Sequence, residues 1–155
     1  MTGVFEVGCV EETWALARRL AAELKPGDVV CLEGDLGAGK TTFVQGLAAA
    51  MGVKGRVTSP TFCLIQEHRL PSTSVEDSRQ SPPTAETPRL LVHVDLYRLG
   101  GEDDVLAIGW EDYLAEGAVL AVEWPERAGS LIPADARHIV FTHLEGEESR
   151  RIEFR

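Results

Sequence analysis

Gly34, Gly39, Lys40 and Thr41 stand in the order Gly-x-x-x-x-Gly-Lys-Thr within the stretch LEGDLGAGKTTF, residues 32–43, and Gly37 is an extra glycine inside it. Glycine loses more conformational entropy on folding than any other residue, so such a cluster indicates a main chain that something approaches closely. A lysine and a hydroxyl directly after it identify that something as a polyphosphate. Loop amides and the unpaired amides of a following helix supply donors, and the helix dipole adds positive potential. On this pattern the main chain from Asp35 through Leu36, Gly37, Ala38 and Gly39 to Thr42 closes on the phosphates. Lys40 bridges the terminal ones, and the Thr41 hydroxyl ligates Mg²⁺. The pattern specifies phosphate recognition and leaves the reaction open.

A phosphate loop that does chemistry also needs an acid to hold the metal's water shell, supplied at the end of a neighbouring buried strand. Two apolar runs end in one: LLVHVD at Asp95 and AVLAVE at Glu123. A strand-end acid is also an ordinary turn or capping residue. Beside the glycine loop, both Asp95 and Glu123 are read as metal-site and catalytic acids together with Lys40. Thr61, in SPT, is a candidate switch residue that reaches Mg²⁺ or the γ-phosphate. His93 lies inside an apolar run and is expected to be a hydrogen-bonded core histidine, while His68, His138 and His143 show no metal-ligand spacing. Trp14 is expected in the core rather than as a base-stacking platform. Arg150 and Arg151 are adjacent on a strand, so alternation lets only one face a shared ligand. The chain has no asparagine, which removes an NKxD-type guanine-reading motif and leans the base towards adenine.

The elements that must position these residues follow from hydrophobic periodicity. VFEV is a short apolar start, and 10–24 place Trp14, Ala17, Leu20, Ala21 and Leu24 at helical spacing. KPGD is a turn, and VVCLE reads as a strand buried on both faces that runs into the glycine loop. Phe43, Val44, Leu47, Ala48 and Met51 form the stripe of the next helix. TSPTFCLIQEH reads as a loop entering a strand, LLVHVD and AVLAVE as buried strands, and 102–110 and 111–114 as short helices between them. HIVFTH and SRRIEF form a hairpin around LEGEE. Strands interleaved with helices predict an α/β, three-layer P-loop NTPase fold with a mostly parallel central sheet and an antiparallel edge hairpin.

A length of 155 residues, 44% of them hydrophobic, suits one domain over 1–155. Within it, 71–88 holds half of the chain's eight prolines with four serines and three threonines, too polar to offset the entropy of ordering. A mobile surface loop is expected there. The formal net charge of −10 repels nucleic acid and anionic lipid, arguing against a direct, extensive grip on DNA or RNA. The three cysteines show no CxxC spacing, there is no signal-peptide pattern and no long apolar run, so the chain reads as soluble and cytoplasmic.

GDLGAGKTTF, SPTF, VDLYRL, IGWEDYL and VEWPE, in that order, resemble the TsaE (YjeE) family over nearly the whole chain. Those are small bacterial P-loop ATPases needed for the threonylcarbamoyl modification of the adenosine beside the tRNA anticodon. The resemblance implies ATP and Mg²⁺ as ligands and a complex with TsaD and TsaB, through which tRNA is met indirectly. It makes Lys40 the phosphate-binding lysine, Thr41 and Glu123 metal-site residues, Asp95 the acid near the metal or the attacking water, and Thr61 the switch threonine. It also places Val10 and Glu11 near the adenine, and Arg150 or Arg151 near the nucleotide. The Pro/Ser/Thr-rich stretch is longer than the family leads one to expect. No arginine is an obvious in-cis finger, although Arg98 is a candidate, so hydrolysis is expected to be weak alone and partner-activated. Two rival readings are a small-molecule kinase and a nucleotide-gated binding module with incidental hydrolysis.

Overall fold

The computed structural model describes residues 1–58, 64–71 and 87–155. Thr61 and nearly all of the loop expected at 71–88 lie outside the described residues. The elements are β1 (Gly3–Val7), α1 (Val10–Ala21), β2 (Val29–Glu33), α2 (Lys40–Ala50), β3 (Ile65–Arg69) and β4 (Leu90–Asp95). They continue with α3 (Glu102–Ala107), α4 (Trp110–Ala115), β5 (Val119–Glu123), a 3₁₀ segment (Pro125–Leu131), β6 (Arg137–His143) and β7 (Arg150–Phe154). The strands form one sheet in the order β1-β7-β6-β2-β5-β4-β3.

The centre, β6-β2-β5-β4, is parallel, and β6 and β7 make the expected antiparallel hairpin. Antiparallel pairing reaches further than the hairpin: β1 adds to β7, and β3 adds to β4 at the opposite edge. Composition accounts for the division. VVCLE, LLVHVD and VLAVE bury nearly every position, as strands covered on both faces must, whereas β1 is largely exposed and β3 mostly half-buried, as suits edges.

Alternation along the central strands sorts their side chains into two cores. Val30 and Leu32 of β2, Leu91 of β4, and Val119 and Ala121 of β5 pack with Leu16 and Leu20 of α1 and Phe43, Val44 and Leu47 of α2. Val29, Cys31, Val92, Val94, Leu120 and Val122 pack on the other face with Val105 of α3 and Trp110 of α4. The same period sends His93, Asp95 and Glu123 to the α2 side and Glu33 to the opposite one. Burial, with Glu33 adding to it, pushes the Cys31 thiol up to about 12, which leaves it inert.

α1 stops at Ala21, short of the expected Leu24, because Pro26 disfavours helical geometry at Lys25 and the Lys25 amide is taken by the Asp28 carboxylate at 2.8 Å. Leu24 is buried all the same. Trp14 corrects a second expectation. It is 39% exposed, and the buried positions of α1 are Thr13, Leu16, Ala17 and Leu20. Its indole lies in the α1–α2 seam, where Nε1 donates to the Thr42 carbonyl at 3.1 Å. The polar N–H needs a partner that an apolar core lacks, and the first turn of α2 provides one.

Gly46 makes this seam possible, since a Cβ there would stand 2.6 Å from Trp14 Cδ1 and 3.0 Å from its Cα. Gly46→Ala should therefore lower stability by about 1–3 kcal/mol through overpacking, although alanine is the better helix former. Urea unfolding checks the sign, and a stabilised variant would contradict the packing described.

Candidate nucleotide-binding site

α2 begins at Lys40, with Gly39 as its left-handed cap at φ 105°. α1 carries Glu11 and Glu12 in its first turn, α3 carries Glu102, Asp103 and Asp104, and α4 carries Glu111 and Asp112. The first turn of α2 holds no acid and no side-chain cap among the described residues. Among the described α-helices, α2 alone has no acid in its first turn, so its positive dipole end is not already neutralised.

The loop before it is open to solvent at Asp35, Leu36 and Gly37, with Leu36 97% exposed, while Ala38 is buried beneath. The glycines have separate causes. Gly37 has φ +79° and open space around it, so its backbone conformation is what requires glycine. Gly34 has φ +145°, and a Cβ on it would meet the Phe141 carbonyl oxygen at 2.5 Å. Its close approach is to strand β6 of the protein itself.

Lys40 is buried, and its Nζ donates to the Gly34 carbonyl and stands 3.9 Å from Glu123 Oε1. The same ammonium lies 5.9 Å from the centre of the Trp124 ring. Glu123 is 6% exposed, and its other oxygen, Oε2, is 3.0 Å from His93 Nε2. Asp95 is the cross-strand neighbour of Glu123. Its Oδ1 accepts the Tyr97 amide at 2.9 Å, so it caps the turn leaving β4 while standing beside the second acid. The Leu96 amide donates to the Glu123 carbonyl at 3.1 Å and ties the two strand ends together.

Trp124 follows at φ 58°, ψ 53°, the one non-glycine residue at positive φ among those described. Its ring packs on Tyr97 with centroids 4.9 Å apart. A bulky residue in this conformation before a proline is strained, and the strain sits at the end of the strand that carries Glu123.

β7 closes the other side. Arg150 Nη2 donates to the Gly37 carbonyl at 3.2 Å, and Nη1 donates to the Glu147 and Ser149 carbonyls. Arg151 turns away and pairs with Glu6 at 3.0 Å. Of the two adjacent arginines, Arg150 is the one on the glycine loop. Val7 is its partner in the β1–β7 register, so the junction leading into Val10 and Glu11 sits beside the same strand end. Val10 is half-buried and Glu11 exposed. Neither makes a side-chain hydrogen bond to the loop among the described residues.

The structure thus brings Lys40, Glu123 and Asp95 together at one end of the sheet, with Thr41 and Thr42 opening α2 beside them and Arg150 across the loop. Arg98 is exposed beyond Tyr97. Sequence reasoning missed the contact of His93 with Glu123 and the strain at Trp124. Strand period could have found the first: His93 and Asp95 in LLVHVD, and Glu123 in AVLAVE, have matching parity at the ends of parallel strands. Chemically, the site offers amides and an ammonium for phosphate. The hydroxyl of Thr41 and two carboxylates are hard oxygen donors of the kind Mg²⁺ takes. No group of three or more His, Cys, Asp or Glu forms a ready metal cage among the described residues.

A family model described as threonylcarbamoyl adenosine biosynthesis protein TsaE matches residues 8–152. Over 147 residues the chain is 38% identical to the tRNA threonylcarbamoyladenosine biosynthesis protein TsaE of Bacillus subtilis (strain 168), covering 93% of this chain and 79% of that protein. Over 112 residues it is 46% identical to the protein of the same name from Streptomyces coelicolor, covering 72% of this chain and 66% of the relative. The crystal structure of Bacillus subtilis YdiB superposes with a TM-score of 0.72 at 32% identity, covering 99% of this chain and 84% of that one.

Because Gly34 answers to β6, Gly34→Ala should destabilise the nucleotide-free protein by about 1–3 kcal/mol from backbone strain, with the clash adding to it. Gly37→Ala, in open space, should cost only about 1 kcal/mol. Denaturant midpoints without ligand compare the two, and equal losses would refute the separate causes.

Proposed function

We propose a function from one premise: the chain belongs to the TsaE family. That places it in tRNA threonylcarbamoyladenosine biosynthesis. Beyond this, our reading is an Mg²⁺-dependent subunit that binds and hydrolyses ATP and works in the cytoplasm with a TsaD–TsaB transferase complex. The observation that carries it is the Lys40 ammonium, buried between the Gly34 carbonyl and the Glu123 carboxylate at the uncapped start of α2.

Phosphate oxygens are stronger acceptors for an ammonium than a backbone carbonyl, because the bond to them is charge-assisted on both sides. ATP would therefore draw Lys40 off Gly34, while the loop amides and the α2 dipole take the remaining phosphate charge. Thr41 and Glu123 would hold Mg²⁺, which supplies charge neutralisation across the β- and γ-phosphates. Asp95, half-exposed and fixed through Oδ1 by the Tyr97 amide, would orient water with its other oxygen, which has no hydrogen-bond partner among the described residues. Arg150 already donates to three carbonyls, and Arg98 is exposed beyond the site, so neither supplies an arginine finger as it stands. This supports slow hydrolysis alone and activation by a partner. The net charge of −10 supports contact with tRNA through the complex rather than by this subunit.

Steady-state ATP hydrolysis by the purified protein, alone and with TsaD and TsaB, should be slow alone and stimulated by the pair. Lys40→Ala should lower the stimulated rate on the order of 10²-fold, as for loss of one charge-stabilising donor. Absence of stimulation, or equal rates in the variant, would overturn the reading. Calorimetric titration should also show Mg²⁺ binding only when nucleotide is present, since the protein alone offers too few ligands for it. Saturable binding of Mg²⁺ by the free protein would contradict this.

A further inference from the structure

We infer that His93 is a positioning residue for Glu123, holding one carboxylate oxygen so that the other faces Lys40. His93 has no exposed surface, and its Nε2 lies 3.0 Å from Glu123 Oε2. Its second ring nitrogen, Nδ1, is buried without a hydrogen-bond partner among the described residues. A carboxylate oxygen accepts, so the ring nitrogen facing it, Nε2, is assigned as the donor from this contact.

The register shows why this pairing is possible. His93 is opposite Ala121, and Asp95 is opposite Glu123. A methyl group at 121 leaves room on the α2 face, so the imidazole reaches diagonally to Glu123. With Oε2 occupied, the carboxylate cannot turn both oxygens to Lys40, and Oε1 stays 3.9 Å from Nζ. That separation keeps Lys40 from closing into a tight buried ion pair and leaves Oε1 available to a cation once the lysine moves to phosphate. Partners of this kind orient metal-binding carboxylates elsewhere, and losing one costs on the order of 10–100-fold in metal affinity or activity. The catalytic half of this inference rests on the ATPase reading above, whereas the hydrogen bond does not.

Two measurements test it. Long-range ¹H–¹⁵N spectra of the nucleotide-free protein should show a proton on His93 Nε2, with the ring shifts displaced by Glu123→Ala. An unprotonated Nε2, or ring shifts indifferent to that substitution, would overturn the inference whatever the protein does with ATP. In partner-stimulated hydrolysis, His93→Leu should raise the Mg²⁺ half-saturation and lower kcat together by about 10–100-fold, with KM for ATP unchanged. His93→Gln, whose amide can donate from a similar position, should restore most of both. Equal defects in the two variants, accompanied by equal loss of melting temperature, would mark His93 as structural and sink the positioning role. If wild type shows no stimulated hydrolysis, the proposed function fails, and the spectra still decide the role of His93.

Discussion

A buried ammonium beside a buried carboxylate, Lys40 and Glu123, is the interaction on which the rest of the site depends. Taking both charges from water costs several kcal/mol per ion unless other hydrogen bonds satisfy them. The Gly34 carbonyl and the Trp124 ring face do so for the ammonium, and His93 does so for the carboxylate. Each helper comes from a different element, so the pair forms only when β2, α2, β4 and β5 are in their final places. At 3.9 Å the two charges are near rather than locked in a tight ion pair.

The sheet makes this arrangement obligatory. β2, β4 and β5 run parallel, so the start of the loop, Asp95 and Glu123 all emerge at the same carboxyl end. Ligands of open α/β sheets gather at that end. The turn out of β5 has to be sharp for the chain to enter the 3₁₀ segment, and Trp124 absorbs it in a conformation that costs on the order of 1–3 kcal/mol. Tilted packing on Tyr97 and the bond from the Leu96 amide to the Glu123 carbonyl hold that turn in place. β7 supplies the last restraint, with Arg150 reaching from the sheet's antiparallel side to the loop carbonyl of Gly37.

Much of this was legible in the residues. The glycine spacing located the loop, continuous apolar runs identified the central strands, and their last residues were the two acids. What misled was the assumption that residue type has one cause. Trp14 reads as core by its size and spacing, yet its indole N–H drew it to the α2 backbone, and Thr13 and Leu16 took the buried face. Gly34 reads as part of the phosphate cradle, yet its missing side chain makes room for Phe141. The edge strands were harder to place, because β1 and β3 are short and incompletely buried, and only their neighbours' free edges fix their pairing.

The sequence by itself determined the fold class, the place of the glycine loop and the pair of strand-end acids, because period, apolar runs and glycine spacing are local properties of the chain. It also determined that only one of Arg150 and Arg151 could face the loop, since neighbours on a strand point to opposite sides. Tertiary structure decided which: pairing of β7 with β1 gives Arg151 to Glu6 and leaves Arg150 to Gly37. It likewise decided that His93 holds Glu123 and that Lys40 rests between Gly34 and that carboxylate. These contacts join residues 30 and 83 positions apart, and no local pattern encodes a distance that only strand register and helix placement create.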